Sequence, residues 1–209
     1  QVIENYKPSI DIDPSWEKFD FDEVCQINKN KIKENKIKLE KKYTYVDISS
    51  LNNKTNKIDF SNIIKGADLP SRARRIVNKN DVLLSTVRPY LKSFSIVKED
   101  KDNLICSTGY AVLRAKEHTY YEFIYQFILT DLFMGQVDTM LVGSNYPAIN
   151  SNDVKNIKLP FPPLEEQKQI ADILSISDEK LEILRAKKEK YEILKKGLLQ
   201  KLLSGEVRV

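Results

Sequence analysis

Glycine, cysteine and histidine are all scarce in this 209-residue sequence, and each scarcity closes off a class of chemistry. Six glycines, none in a GxGxxG or Walker spacing, leave no loop to cradle the phosphates of a nucleotide. His118 is the only histidine; it lies in a polar stretch ahead of a helical segment and reads as a surface residue, and no Ser/His/Asp set is possible beyond it. The two cysteines, Cys25 and Cys106, belong to no CxxC or Cys/His cluster, which argues against structural zinc and a disulfide framework and for a cytoplasmic protein. No apolar run approaches the ~20 residues of a membrane span, and the opening QVIENYKPSIDIDPSW is too polar and acidic for a signal peptide. With Gln1 in place of Met, the chain is expected to begin inside a longer reading frame. Catalytic residues, a metal site, a cofactor and a membrane partner are therefore not expected.

What is present is a chain 41% hydrophobic and 31% charged, which fits a core-bearing domain with an appendage and a large solvated surface. A net charge of +4 is too small to argue nucleic-acid binding from the total, so the argument rests on where the charge lies. The organising stretch is LPFPPLEEQ, Leu159 to Gln167. Pro160, Pro162 and Pro163 lack amide donors and hold the backbone extended, so neither helix nor central strand is expected through them. Glu165 and Glu166 follow, in the first turn of a helix where the macrodipole favours acids. The division is into an N-terminal arm (1–14), a globular part (15–162) and a helical tail (163–209).

Trp16, Phe19, Phe21 and Val24 are the first residues expected to be buried. Residues 17–40 are rich in lysine, and two readings stay open for them: a solvated edge, or a surface that touches phosphate. YTYVDI at Tyr43–Ile48 is a strand by its aromatic and β-branched alternation. Lys57–Ile64, Val82–Thr86, Phe94–Val97, Leu104–Cys106 and Tyr110–Leu113 read as further strands, so residues 40–115 predict a compact, mostly β body. From Tyr120 to Phe133 apolar residues recur at three and four, predicting one amphipathic helix on that body.

Candidate binding residues gather on loops and strand ends. Arg72, Arg74 and Arg75 lie close together; in an extended segment Arg72 and Arg74 share a face and Arg75 points away, and guanidinium forks suit phosphate oxygens and the O6/N7 edge of guanine. Arg88, expected to be held extended by Pro89, stands with Tyr90 and Lys92 on a stiff turn. Ser85, Thr86, Ser107, Thr108 and Tyr110 are possible phosphate donors, Tyr110 being equally a core candidate. Ser144, Asn145 and Tyr146 form a small polar loop suited to an adenine or phosphate contact. In the tail, Ile170, Leu174, Leu181, Leu184, Tyr191, Leu198 and Leu202 follow a seven-residue rhythm that calls for a partner helix. Ser175 and Ser177 before Asp178 could cap a second start, splitting the tail into a short and a longer helix, with Ser204 and Gly205 ending it.

These residues carry a resemblance. LPFPPLEEQKQIADIL, LEILRAKKEKYEILKKGLLQKLLSGEV and VLLSTVRPYLK resemble the DNA-specificity subunit of type I restriction-modification systems. The resemblance implies an α+β fold: a mostly β target recognition domain with packed helices, followed by a long coiled-coil-like helical region. It implies a non-catalytic role, recognising double-stranded DNA for a methyltransferase (modification) subunit and a restriction/translocase subunit. Such subunits carry two recognition domains and two helical regions; this sequence has one of each, so a half-length form acting as a homodimer on a bipartite target is implied. The adenine-methylation motif is absent, since FPPL at Phe161–Leu164 lacks both the leading Asn or Asp and the following aromatic. Two alternatives stay open: the C-terminal specificity part of a methyltransferase fusion, and a helical interaction module without DNA specificity.

Overall fold

A computed structural model describes residues 12–52, 55–142 and 147–208 of the chain. The first elements are β1 (Glu17–Asp20), the single turn α1 (Phe21–Val24) and β2 (Cys25–Ile27), followed by β3 (Lys42–Val46), β4 (Leu51–Asn52) and β5 (Lys57–Ile58). Then come β6 (Ile63–Lys65), β7 (Ala73–Ile76), β8 (Val82–Ser85), β9 (Phe94–Ile96), β10 (Leu104–Ser107) and β11 (Tyr110–Ala115). Two helices, α2 (Tyr121–Ile128) and α3 (Asp131–Asp138), precede β12 (Lys158–Phe161) and α4 (Leu164–Leu203). This is the α+β class expected, a mostly β body with packed helices and a long C-terminal helix.

Two four-stranded sheets build the body, in the orders β6-β3-β10-β7 and β2-β11-β8-β9. All neighbours are antiparallel except β10 with β3, which run parallel. Val46, Leu104 and Cys106 from the first sheet meet Leu83, Tyr110 and Val112 from the second in one core cluster. β8 is buried at all four positions because its other face is covered too. Over that face lie α2 and α3, where Phe21, Phe94, Phe127 and Phe133 pack ring against ring at centroid separations of 5.8–6.3 Å. Each such pair adds roughly 0.5–1.5 kcal/mol beyond the area it buries.

Phe21 and Val24 are buried, while Trp16 and Phe19 are half-buried, Phe19 lying edge-on to Phe161 across β1 and β12. The segment expected as one strand at Lys57–Ile64 is two short ones, β5 and β6. β7 lies where no strand was expected, because its charged ARRI pattern masks a strand whose alternate residues are buried. The single helix expected over Tyr120–Phe133 is broken in two: Thr130 Oγ1 donates to the Phe127 carbonyl at 2.7 Å and accepts the Phe133 amide at 3.2 Å, capping a new start. β12 does run through Pro160, which a strand tolerates here because its only partner is β1.

The tail is one unbroken helix of 40 residues rather than two. Ser177 does not cap: its hydroxyl donates back to the Ile173 carbonyl at 2.9 Å, one turn earlier. Gly205 ends the helix with φ of 71°, a left-handed conformation that glycine takes without strain. The chain divides into two compact units, residues 1–168 and 169–209. In the first, Gln167 is fully buried and makes three hydrogen bonds. Its Nε2 donates to the carbonyls of Pro162 (2.8 Å) and His118 (3.2 Å), and its Oε1 accepts the Tyr120 amide at 2.9 Å. The glutamine of PPLEEQ is thus the clamp that joins the proline stop to the start of α2.

Candidate nucleic-acid interface

Both sheets end at the same place. Ser85 faces Tyr110 at the ends of β8 and β11, and Ser107 faces Ala73 at the ends of β10 and β7. Backbone hydrogen bonds then tie the loops beyond these ends into one continuous edge. The Thr108 amide donates to the Arg72 carbonyl at 2.9 Å, the Thr86 amide to Gly109 at 2.8 Å, and the Arg88 amide to Pro147 at 2.8 Å. Val87 and Val142 each pair with Ala148, so the segment carrying Ser144, Asn145 and Tyr146 is flanked by residues of this edge; those three lie outside the described residues.

Along this edge the candidates sort by what their polar groups already do. Ser85, Thr86, Ser107 and Tyr110 are buried. Ser85 Oγ donates to the Val87 carbonyl (2.8 Å), Thr86 Oγ1 to Gly109 (2.9 Å) and the Tyr110 hydroxyl to Asp47 (3.3 Å), while Ser107 Oγ accepts the Gly109 amide at 3.2 Å. Burial raises the Tyr110 hydroxyl above its ordinary value, with the nearby Cys106 and Asp47 acting the same way. Arg72, Tyr90 and Thr108 are exposed.

The three arginines part company at a bulge in β7, where Arg74 is the extra residue between the pairs Arg75–Cys106 and Ala73–Ser107, of the kind that re-aims side chains. Arg74 is partly exposed and pairs with Glu34 at 3.4 Å. Arg75 is 7% exposed. Burial holds its guanidinium below the ordinary arginine value, and its Nε and Nη1 have no hydrogen-bond partner. Cys106, opposite it, is a buried free thiol pushed up to about 12 by desolvation.

Arg88 is not extended. It is left-handed, with φ 48° and ψ 55°, as is Lys92 with φ 48° and ψ 39°, and the two bracket a single 3₁₀ turn, Pro89–Leu91. The proline disfavours a right-handed helix at the preceding residue, and the Arg88 amide bond to Pro147 with the Leu91 amide bond to Arg88 (3.0 Å) selects the left-handed alternative. Two left-handed non-glycine residues store strain of order 1–2 kcal/mol each. They present Tyr90 and Leu91 at half exposure on a rigid knuckle. Lys92 is tied inward, its Nζ donating to the Leu129 carbonyl at 2.7 Å and pairing with Asp131 at 3.7 Å.

The sequence matches the family described as "Type I restriction modification DNA specificity domain" over residues 14–192. The chain belongs to that family. It is 29% identical to the type I restriction enzyme MjaVIII specificity subunit of Methanocaldococcus jannaschii over 64% of this chain and 32% of the relative. Among solved structures, it resembles the HsdS subunit of Thermoanaerobacter tengcongensis with a TM-score of 0.76 at 33% identity, covering 92% of this chain and 49% of that one. It also resembles a chain from a structure described as the basis of complex assembly and conformational transition of the type I R-M system. There the TM-score is 0.83 at 32% identity, over 96% of this chain and 51% of the other. The chain thus spans about a third to a half of the length of these relatives.

Asp81 and Arg114, neither singled out from the sequence, form a two-pronged ion pair. Arg114 Nε and Nη2 each donate at 2.7 Å to a carboxylate that is 1% exposed. The pair bridges the entry to β8 and the C-terminal end of β11, and the Asp81 hydrogen bond raises Arg114 further. No spacing in the sequence, 33 residues apart, could have announced it. His118 is exposed. Among the described residues no cluster of three His, Cys, Asp or Glu is placed to hold a metal ion, and no helix is long and apolar enough to cross a membrane.

In the second unit, Leu174, Leu181, Leu184, Tyr191, Leu198 and Leu202 are exposed at 39–59%, and Ile170 is half-buried. Ile173, Ile176, Ile183, Ile193 and Leu194 are also exposed, at 56–68%, so the apolar face of α4 is broader than a single seven-residue seam.

Proposed function

We propose that this chain supplies the DNA-reading half-unit of a type I restriction-modification complex. The recognition domain, residues 15–162, reads one half of a bipartite duplex target. The helical region, residues 163–209, sets the distance to the other half and docks a methyltransferase subunit, with a restriction/translocase subunit joining the same assembly. Exposed Arg72, Thr108 and Tyr90, with Arg74 and Arg88, approach the DNA from the shared edge of the two sheets. Ser85, Thr86, Ser107 and Tyr110 hold that edge in shape, and Arg75 and Lys92 support it from within. Ser144, Asn145 and Tyr146, outside the described residues, are further candidate contacts by their residue types alone. Phosphate contacts set affinity and a few base-edge contacts set sequence.

The observation that carries the proposal is the exposed apolar face of α4, which calls for a partner helix. Two copies, their helices packed antiparallel, bring two recognition domains together. By two-fold symmetry the target is then a palindrome interrupted by a fixed, unread spacer. The test is to delete the gene in its source organism and map N6-methyladenine across the genome. Loss of one bipartite, symmetric motif is the expected result. An unchanged map overturns the reading, and an asymmetric motif replaces self-pairing by pairing with a second half-subunit.

A further inference from the structure

The fourteen residues from Lys29 to Lys42 carry seven lysines against two glutamates. That is +5 in one segment of a chain whose total is +4, so the remainder of the molecule carries −1. The segment is not a loose loop. Its start is stitched to β7, the Ile32 amide donating to Arg74 at 2.9 Å and the Ile76 amide to Asn30 at 3.0 Å. Its end is stitched to the residues after β6, the Gly66 amide donating to Lys41 at 2.8 Å and Ala67 to Leu39 at 3.0 Å. In between, Ile32 and Ile37 pack onto Tyr43, Tyr45, Ala73 and Ile105 on the outer face of the first sheet, and the Lys38 amide donates to the Tyr43 hydroxyl at 3.1 Å. Gly66 is required for this closeness, because a Cβ there would collide with the Lys38 carbonyl oxygen.

The result is a strap with isoleucines inward and ammonium groups outward. Its two glutamates pair elsewhere, Glu34 with Arg74 at 3.4 Å and Glu40 with Lys65 at 3.9 Å. Among the described residues, none of the seven lysines has a carboxylate within ion-pair distance. Lys36, Lys38 and Lys41 surround a cavity of about 270 Å³ floored by Tyr43, Ile76 and Ile105, with Asn103 at its side. The cavity lies at the opposite end of β10 from the reading edge. Three steps of ~3.3 Å from Leu104 to Ser107 put it roughly 10 Å away, about three base-pair rises along a DNA axis.

We infer that this strap is a second DNA-contact surface, on which Lys36, Lys38 and Lys41 hold phosphates of the duplex flanking the half-site and set affinity without reading sequence. The inference rests on the DNA-reading function above. It is tested by fluorescence anisotropy of the full 209-residue chain with duplex DNA, titrated with salt. Each phosphate contact contributes ~0.9 to the slope of log K against log salt, so K36Q/K38Q/K41Q flattens that slope by roughly two to three with base preference unchanged. K36R/K38R/K41R retains the slope, and K98Q/K101Q, on a separate exposed turn, leaves it unaltered. An unchanged slope in the triple glutamine variant, with the unsubstituted chain still binding, overturns the strap and leaves the reading edge intact. Failure of the unsubstituted chain to bind duplex at any salt overturns the DNA-reading function and the strap with it.

Discussion

Replacing Gln167 with Met keeps the volume of the side chain and removes every polar atom from it. Three backbone groups then lose their partners in a site with no solvent exposure: the Tyr120 amide at 2.9 Å and the carbonyls of Pro162 at 2.8 Å and His118 at 3.2 Å. Each unmade hydrogen bond to a buried group costs about 1 kcal/mol or more, so the loss is roughly 3 kcal/mol. Gln167→Glu is worse at neutral pH, because a carboxylate there meets two carbonyl oxygens and donates to neither. It recovers partially in acid, where the protonated carboxyl donates once. The assay is urea denaturation followed by fluorescence of Trp16, which lies in the same compact unit. Heating gives a second readout, a fall of roughly 6–12 °C at ~2–4 °C per kcal/mol for a chain of this size. A loss under ~1 kcal/mol for Gln167→Met, or no difference between the Met and Glu variants at pH 7, would refute the clamp.

Three further outcomes follow from named contacts. Arg114→Met strands the Asp81 carboxylate in the core and destabilises by about 3–5 kcal/mol, whereas D81N/R114M recovers much of that loss; equal losses in the two variants on chemical denaturation would contradict this. Burial alone would push Asp47 up, but the hydroxyls and amides of Ser49 and Ser50 outweigh it and hold the carboxyl below its ordinary value. A depressed carboxyl contributes stability that is present above its unfolded pKa and lost as pH falls through the folded one. The gap between the unsubstituted chain and Asp47→Ala, about 1 kcal/mol at pH 7 for a helix cap, therefore closes below about pH 4; a gap constant down to pH 3 would exclude this role. Inserting one helical turn, about four residues, near Lys188 lengthens the unread spacer of the methylated target, and an unchanged target on methylome sequencing rejects α4 as the ruler.

The stretch LPFPPLEEQ and the tail behind it were legible because their signals are local. Prolines withhold donors, acids favour a helix start, and a seven-residue rhythm repeats along one face. The β-strands from Tyr43 to Leu113 were legible for the same reason, since alternating and β-branched residues declare themselves within a few positions. β7 was not, because a strand written ARRI at the margin of a sheet presents charge where the pattern expects apolar residues. The break at Leu129–Thr130 hid inside a periodicity that α2 and α3 share, and only the Thr130 hydroxyl separates them. Ser177 misled in the opposite direction: a serine before acids reads as a cap, yet within a helix its hydroxyl simply bonds one turn back.

For the site, residue types and their neighbourhoods could be read from sequence, but burial could not. Arg72, Arg74 and Arg75 lie within four letters and have three different fates, decided by a bulge that β7 forms only against β10, a strand from a different part of the chain. Arg88 beside Pro89 is confined by local sterics to a few conformations, and the choice among them came from the carbonyl of Pro147, 59 residues on. The lysines of the strap were visible as a composition; that they stand outward on a fixed backbone depended on Tyr43, Ile105 and Gly66 meeting Ile32, Ile37 and Lys38. By itself, then, the sequence determined the helical tail and most of the strands, because hydrophobic period, proline and caps act over one or two turns. The tertiary structure alone decided which side chains face solvent and which are consumed in support, because burial and partnership are made by strands distant in sequence.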